Sequence, residues 1–206
     1  MSVDATSVIF PDVVWAGEFT IGPFVIVGQL PRGQQSSDRV TRIGANAYIN
    51  SHTVIYAGNK IGQNFQAGHG VLIREENEIG DDVSIGSGSN VEHHVRIGSR
   101  VRLHSNVFVP ELSILEDDCW LGPNVVITNA RYPASPTTKE ELVGVYIEKR
   151  AKIGANTTIL PGVRIAADAL VGAGSVVTVD VPSGAVVAGN PARVIKHISQ
   201  ISAYRP

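Results

Sequence analysis

The chain has 206 residues, with 43% hydrophobic side chains, only 6% aromatic, and 17 Lys and Arg against 19 Asp and Glu, a formal net charge of −2. One Cys excludes an internal disulfide framework and a thiolate zinc site. The balanced charge argues against a nucleic-acid or acidic-membrane surface.

No apolar run nears the ~20 residues of a membrane span. The first residues, MSVDATSVIF, lack the basic start and apolar stretch of an export signal. A cytoplasmic protein is expected. Val, Ile and Gly dominate over Leu and Phe, which favours strands and tight turns over helices.

From the N-terminus, apolar residues recur every six positions: Val3, Ile9, Trp15, Ile21 and Val27. The next hit, Ile43, is sixteen residues on, so 29–42 is read as a loop thrown out from a corner. From Ile43 to Ile127, fifteen consecutive positions at a step of six are aliphatic. Gly often follows the hit, as at Gly44, Gly62, Gly86 and Gly122. A second gap, twenty residues to Ile147, marks a loop at 128–146. The period then resumes through Ile153, Ile159, Ile165, Val171 and Val177.

Six fits neither the 3.6 of a helix nor the 2 of a plain strand. It fits a short strand plus a corner, repeated. Three such units close a triangular coil of eighteen residues, with coils ~4.8 Å apart held by ladder hydrogen bonds. The fold class expected is all-β, a parallel β-helix, and the 26 units give between eight and nine coils. The tail differs. Asn190 can cap a helix with Pro191 at its first position. Val194, Ile195, Ile198 and Ile201 then share one helical face. A short C-terminal helix over 190–206 is expected to close a β-helix spanning 1–189.

In such a coil, residues eighteen apart stack. One column runs Ala57, Glu75, His93, Glu111, Asn129, placing an imidazole between two carboxylates. Either Glu can favour imidazolium or fix one tautomer. Beside it runs Glu76, His94, Leu112, Ala130. The His column ends where the large loop departs, so polar ladder and loop meet at one corner. The plainer alternative is a solvated exterior ladder. His69 stacks with Ser87 and Ser105, and His104 with Gly68, Gly86 and Gly122; both suit a surface or subunit contact as well as a substrate. Arg74, Arg131 and Tyr132 are candidates for holding a nucleotide diphosphate, since guanidinium pairs with phosphate. Cys119 sits four after Leu115, an inward position, and is read as a small core residue.

These residues resemble the hexapeptide-repeat acyltransferases, and the resemblance covers nearly the whole chain. Its most specific piece is Lys152–Lys196, with IGANTTILPGVRI and VGAGSVVTVDVPSGAVVAGNPARVIK. DCWLGPNVVITNARYP (Asp118–Pro133) and VEHHVRIG (Val91–Gly98) are similar to segments of N-acyltransferases of nucleotide-linked amino sugars. The resemblance implies a left-handed coil, a homotrimer with sites between adjacent subunits, and acetyl-CoA as donor. It implies His93 as general base; the column reading adds Glu75 or Glu111 to orient it, and the columns and loop offer His94, His69, Arg74, Asn129, Arg131 and Tyr132 for the substrate side. It implies Ala155 and Ala173 along the pantetheine arm, Thr178 and Val179 toward its nucleotide end, and Arg193 and Lys196 at the CoA phosphates. Simple-sugar O-acetyltransferases of the family carry a His where this chain reads Asn129-Ala130-Arg131-Tyr132. O-acylation and N-acylation of an amino-acid-type amine remain the alternatives within the family. A zinc lyase on the same fold needs three His. His69 and His104 are spaced for two of them, but the third would fall at Val109, so no metal is expected. A non-catalytic assembly subunit is the remaining rival.

Overall fold

The computed structural model describes residues 1–34 and 39–204. Strands of two to five residues follow one another around three faces, and within each face successive coils pair in parallel. The first face runs from Ser2–Val3 to Ala185–Gly189, the second from Val8–Ile9 to Val176–Val177, and the third from Val13–Trp15 to Arg164–Ile165. The eighteen-residue winding read from the period is therefore present. Ile73 lies opposite Val91, and Val91 opposite Val109.

Register also shows how the excursions are absorbed. Leu115 pairs with Ile147 across 128–145, and Trp15 with Ile43 across the first excursion. Inward packing resumes in phase after each, because a slip would move the aliphatic set off the core. The first excursion, expected over 29–42, lies partly outside the described residues. Gln29 closes the strand Ile26–Gln29, and Thr41 opens the next, Thr41–Ile43.

The core is one continuous stack of the period-six residues: Ile43, Ile49, Ile55, Ile73, Ile85, Leu103, Leu115, Leu121, Ile127, Ile147 and Ile153 are all fully buried. Cys119 is buried with them, its thiol donates to the Glu148 carbonyl at 3.1 Å, and burial pushes its pKa up to about 12. It is core, as its inward position implied. Gly after the aliphatic residue has a steric cause. A Cβ on Gly86 would lie 2.5 Å from the His104 carbonyl carbon, and one on Gly154 2.4 Å from the Ala173 nitrogen. The coils are too close there for any side chain.

The tail departs from expectation. No α-helix starts at Asn190. After a cis Asn190–Pro191 bond, Ala192–His197 forms a strand antiparallel to Ala185–Gly189. Among the described residues, helical structure is confined to the 3-10 turns Ile198–Gln200 and Ser202–Tyr204. The physical reason is the free edge of the last parallel strand, whose unpaired backbone groups a hairpin satisfies and a helix does not. The apolar pattern misled because Val194 and Ile195 cover no core: they are 59% and 60% exposed.

Candidate functional site

Both excursions leave the coil between the second face and the third, at the same corner. Between them, that corner carries Arg74-Glu75-Glu76, Glu92-His93-His94 and Glu111-Leu112 on successive coils. The first excursion reaches back onto it, with Arg39 Nε 3.0 Å from Glu76 Oε1. The second passes against it at Gly144, where a Cβ would collide with the Leu112 carbonyl. A regular coil thus presents one polar corner bracketed by its two irregular segments.

Glu76, His94 and Leu112 hold left-handed φ values of +60°, +56° and +67°. Such a conformation costs a residue with a Cβ roughly 1–2 kcal/mol, and here it closes the tight turn between faces.

His93 Nε2 lies 3.0 Å from Glu111 Oε2, and His93 Nδ1 lies 2.8 Å from His94 Nδ1. His94 Nε2 lies in turn 2.8 Å from Glu76 Oε2. His93 and Glu111 are largely covered, while His94 is about half exposed. Of the two carboxylates flanking His93 in sequence, Glu111 makes the contact. Glu75 is instead gripped by Arg74, which donates to its two oxygens at 2.8 and 3.0 Å. Glu75 is only 8% exposed. Burial works to raise its pKa, but the Arg74 hydrogen bonds, its own backbone N–H, and the nearby charges of Arg74 and His93 outweigh that and hold it below the usual carboxylate range.

Arg74 also donates to Glu92 at 3.3 Å and lies over the Tyr56 ring at 5.3 Å. Its guanidinium thus meets two carboxylates in this structure. Beneath the corner, buried Asn77 donates to the Arg74 carbonyl at 2.8 Å and accepts from the Val95 N–H at 2.7 Å. The buried Ser113 hydroxyl, one coil further, has no partner.

The large loop is tied down. Thr138 Oγ1 donates to the Tyr132 carbonyl at 2.8 Å, and Val143 N–H to the Asn129 carbonyl at 3.0 Å. Arg131 reaches the Pro161 carbonyl at 3.4 Å, and Tyr132 is exposed.

The other predicted residues lie elsewhere. Ala155, Ala173 and His69 are on the corner between the first and second faces, the neighbouring edge of the prism. His69 Nδ1 is 2.8 Å from the Ser51 hydroxyl, and its backbone N–H donates to Ser87 Oγ at 2.9 Å. Ala173 lines a cleft of about 440 Å³ on the first face, with Trp120, Lys152, Leu170 and Tyr204. His104 packs its ring 4.6 Å from Trp120; burial first, then the Arg102 charge, lowers its pKa. Thr178 and Val179 follow the last second-face strand, on the His93 corner. Arg193 and Lys196 lie on the antiparallel tail strand; Arg193 donates to the Ala192 carbonyl at 2.9 Å, and among the described residues neither faces a carboxylate. Within one chain, then, the His93 group and the Ala155–Ala173 edge are not brought together.

Sequence reasoning missed Arg39, Tyr56 and Glu92. Glu92 was available, one coil above Arg74 in the same column. Arg39 was not, because an insertion has no register to count. Among the described residues, no three His, Cys, Asp or Glu side chains converge as a metal site.

Residues 78–111 and 144–178 match the family model described as bacterial transferase hexapeptide (six repeats). A galactoside O-acetyltransferase of Lactococcus lactis is 42% identical over 82 residues, 38% of this chain and 40% of that protein. A 2,3,4,5-tetrahydropyridine-2,6-dicarboxylate N-acetyltransferase of Staphylococcus aureus is 58% identical over 57 residues, 28% of this chain and 24% of that protein. This chain therefore matches less than half the length of either. Among solved structures, LpxA of Acinetobacter baumannii superposes over 96% of this chain and 75% of its own, with TM-score 0.63 and 21% identity. A galactoside acetyltransferase solved in complex with coenzyme A covers 69% of this chain and 71% of its own, with TM-score 0.55 and 22% identity. The six-residue period and the three-faced coil agree with those matches, and over residues 78–111 and 144–178 the chain carries repeats similar to the bacterial transferase hexapeptide model.

Proposed function

We propose that the protein transfers an acyl group from acyl-CoA to an amine, with the His93–Glu111 pair as the general base. The observation that carries this reading is the 3.0 Å contact between His93 Nε2 and Glu111 Oε2. It lies at the one corner from which both excursions depart. A carboxylate on an imidazole fixes its tautomer and stabilises its protonated form. The amine nitrogen attacks the thioester carbonyl, a C–N bond forms, the C–S bond breaks, and the proton lost by nitrogen passes through the base to the leaving sulfur. The acetyltransferase relatives support the reaction class; acetyl-CoA is the donor proposed.

The acceptor proposed is an amino sugar on a nucleotide carrier. Its support is the likeness of Val91–Gly98 and Asp118–Pro133 to enzymes of that class. Arg131 and Tyr132, on the loop beside the corner, are the residues proposed to meet the acceptor, with Asn129. Arg74 is the clamp on Glu75. The donor's place is proposed along the Ala155–Ala173 edge. Small residues there let a ligand approach the backbone, and Arg193 and Lys196 supply cationic groups that, among the described residues, face no carboxylate.

The two halves of this site lie on adjacent edges, and the second face lies between those edges. The outward positions of that face include Val8, Ile26, Val54, Leu72, Phe108 and Val126. A sheet face this apolar suits burial against another copy. A trimer packed through it is proposed to set the His93 edge of one copy beside the Ala155–Ala173 edge of the next.

Transfer to oxygen is the second reading, favoured by the galactoside O-acetyltransferase relative. Release of free thiol from acetyl-CoA, measured against a panel of amino sugars, amino acids and plain sugars, tests both. Turnover confined to hydroxyl acceptors would replace the amine reading, and none with any acceptor would remove the transferase reading.

A further inference from the structure

His93 and His94 meet through the same nitrogen, Nδ1 to Nδ1, at 2.8 Å. Their outer nitrogens each meet a carboxylate, Glu111 at 3.0 Å and Glu76 at 2.8 Å. These four groups form an unbroken chain, and its protons can be counted. A carboxylate only accepts, and a neutral imidazole offers one N–H and one lone pair. The two outer contacts each need a proton on Nε2, and the central contact needs a single proton between the rings. Three contacts use three protons, while two neutral imidazoles bring two.

We infer that Glu76, His94, His93 and Glu111 bind one shared proton as a unit, and that His94 and Glu76 are positioning residues through which His93 gives up and regains it. The inference rests on the reading of His93 as base. The surroundings suit a shared positive charge. Glu76 and Glu111 flank it, and nearly buried Glu75 bears on His93 from the coil below. The nearby cations are engaged, Arg39 by Glu76 and Arg74 by Glu75 and Glu92.

With the third proton gone, one contact is left with two facing lone pairs, and His93 can turn Nε2 to an incoming amine. The amine's N–H bond then breaks as an N–H bond forms on His93, restoring three protons. The C–S bond breaks, the thiolate takes one proton from the chain, and the chain returns to two. Amine and thioester have become amide and thiol with no net proton change.

The test uses the full chain labelled with 15N-histidine, the ring nitrogens being followed by NMR through an acid titration, with His93→Gln and His94→Gln assigning the signals. Expected are two rings that change together on uptake of one proton. In His94→Gln, and in the near-isosteric Glu76→Gln, His93 should titrate at a different midpoint. Both variants should lower kcat, His94→Gln by tenfold or more, with KM for acetyl-CoA unchanged. If the two rings titrate independently, or both variants leave the His93 midpoint unmoved, the shared proton is overturned even where His93→Ala is inactive. If His93→Ala keeps full activity, the base reading fails and the positioning role with it, whatever the titration shows.

Discussion

Two corners of the same prism carry polar ladders of the same spacing, and they are built differently. Between the third and first faces, polar side chains bond to fixed partners one coil away, two of them opposite charges. Arg100 Nε donates to Asp118 at 2.7 Å, Arg150 to Asp168 at 2.7 Å, and Asn64 to Asp82 at 2.8 Å. Those pairs are complete at any neutral pH. Between the second and third faces, two carboxylates enclose two imidazoles, and the ladder closes through their ring nitrogens. The lesson is that a stack of polar residues on a β-helix is scaffolding where fixed charges cancel. It is a candidate site where completing the hydrogen bonds requires a titrating group.

This contrast can be broken or sharpened by substitution. The largest effect expected is His93→Ala, which should lower kcat by about 10²–10⁴-fold, the usual share of a general base, with little change in KM for acetyl-CoA; steady-state thiol release measures it. Second, Arg74→Ala should leave the nearly buried Glu75 carboxylate unpaired and cost about 1–3 kcal/mol of stability, read by urea denaturation.

Third, because the folded-state pKa of Glu75 is depressed below its ordinary 4.5, its contribution is fully present above that pH and lost as pH falls through the lower folded value. Wild-type stability should therefore decline more steeply than that of Glu75→Gln on acidification below about pH 4.5, as followed by thermal melting across pH. Fourth, Asp118→Asn, on the paired corner, should shift stability by no more than ~1 kcal/mol, since exposed ion pairs are screened, and leave activity unchanged. Smallest is Ser113→Ala, which removes an orphaned buried hydroxyl and should be neutral or stabilise by up to ~1 kcal/mol.

Much of the fold was legible because one side chain in six must fill a narrow triangular core, which leaves an aliphatic mark at Ile43, Ile49 and onward. The columns followed from the same count, and with them the meeting of His93 with Glu111 and of His94 with Glu76. The choice between Glu75 and Glu111 was not legible. It depends on Arg74 turning to its sequence neighbour, a rotamer matter that no spacing encodes. The separation of Ala155 from His93 was available in principle. With the large insertion discounted, the two fall a third of a coil out of step and so on different edges. The tail was misread because Val194 and Ile195 fit a helical stripe while in fact serving a strand, where branched side chains are equally at home.

That strand has a further effect. A parallel coil ends in a row of amides and carbonyls aimed along its axis, ready to recruit the start of another molecule and grow by addition. On the first face, Ala192–His197 reverses direction over that row. The next chain would meet an antiparallel edge whose spacing does not continue the coil. On that face the hairpin therefore leaves no parallel edge to extend, and a chain cut before Asn190 would expose the edge of Ala185–Gly189.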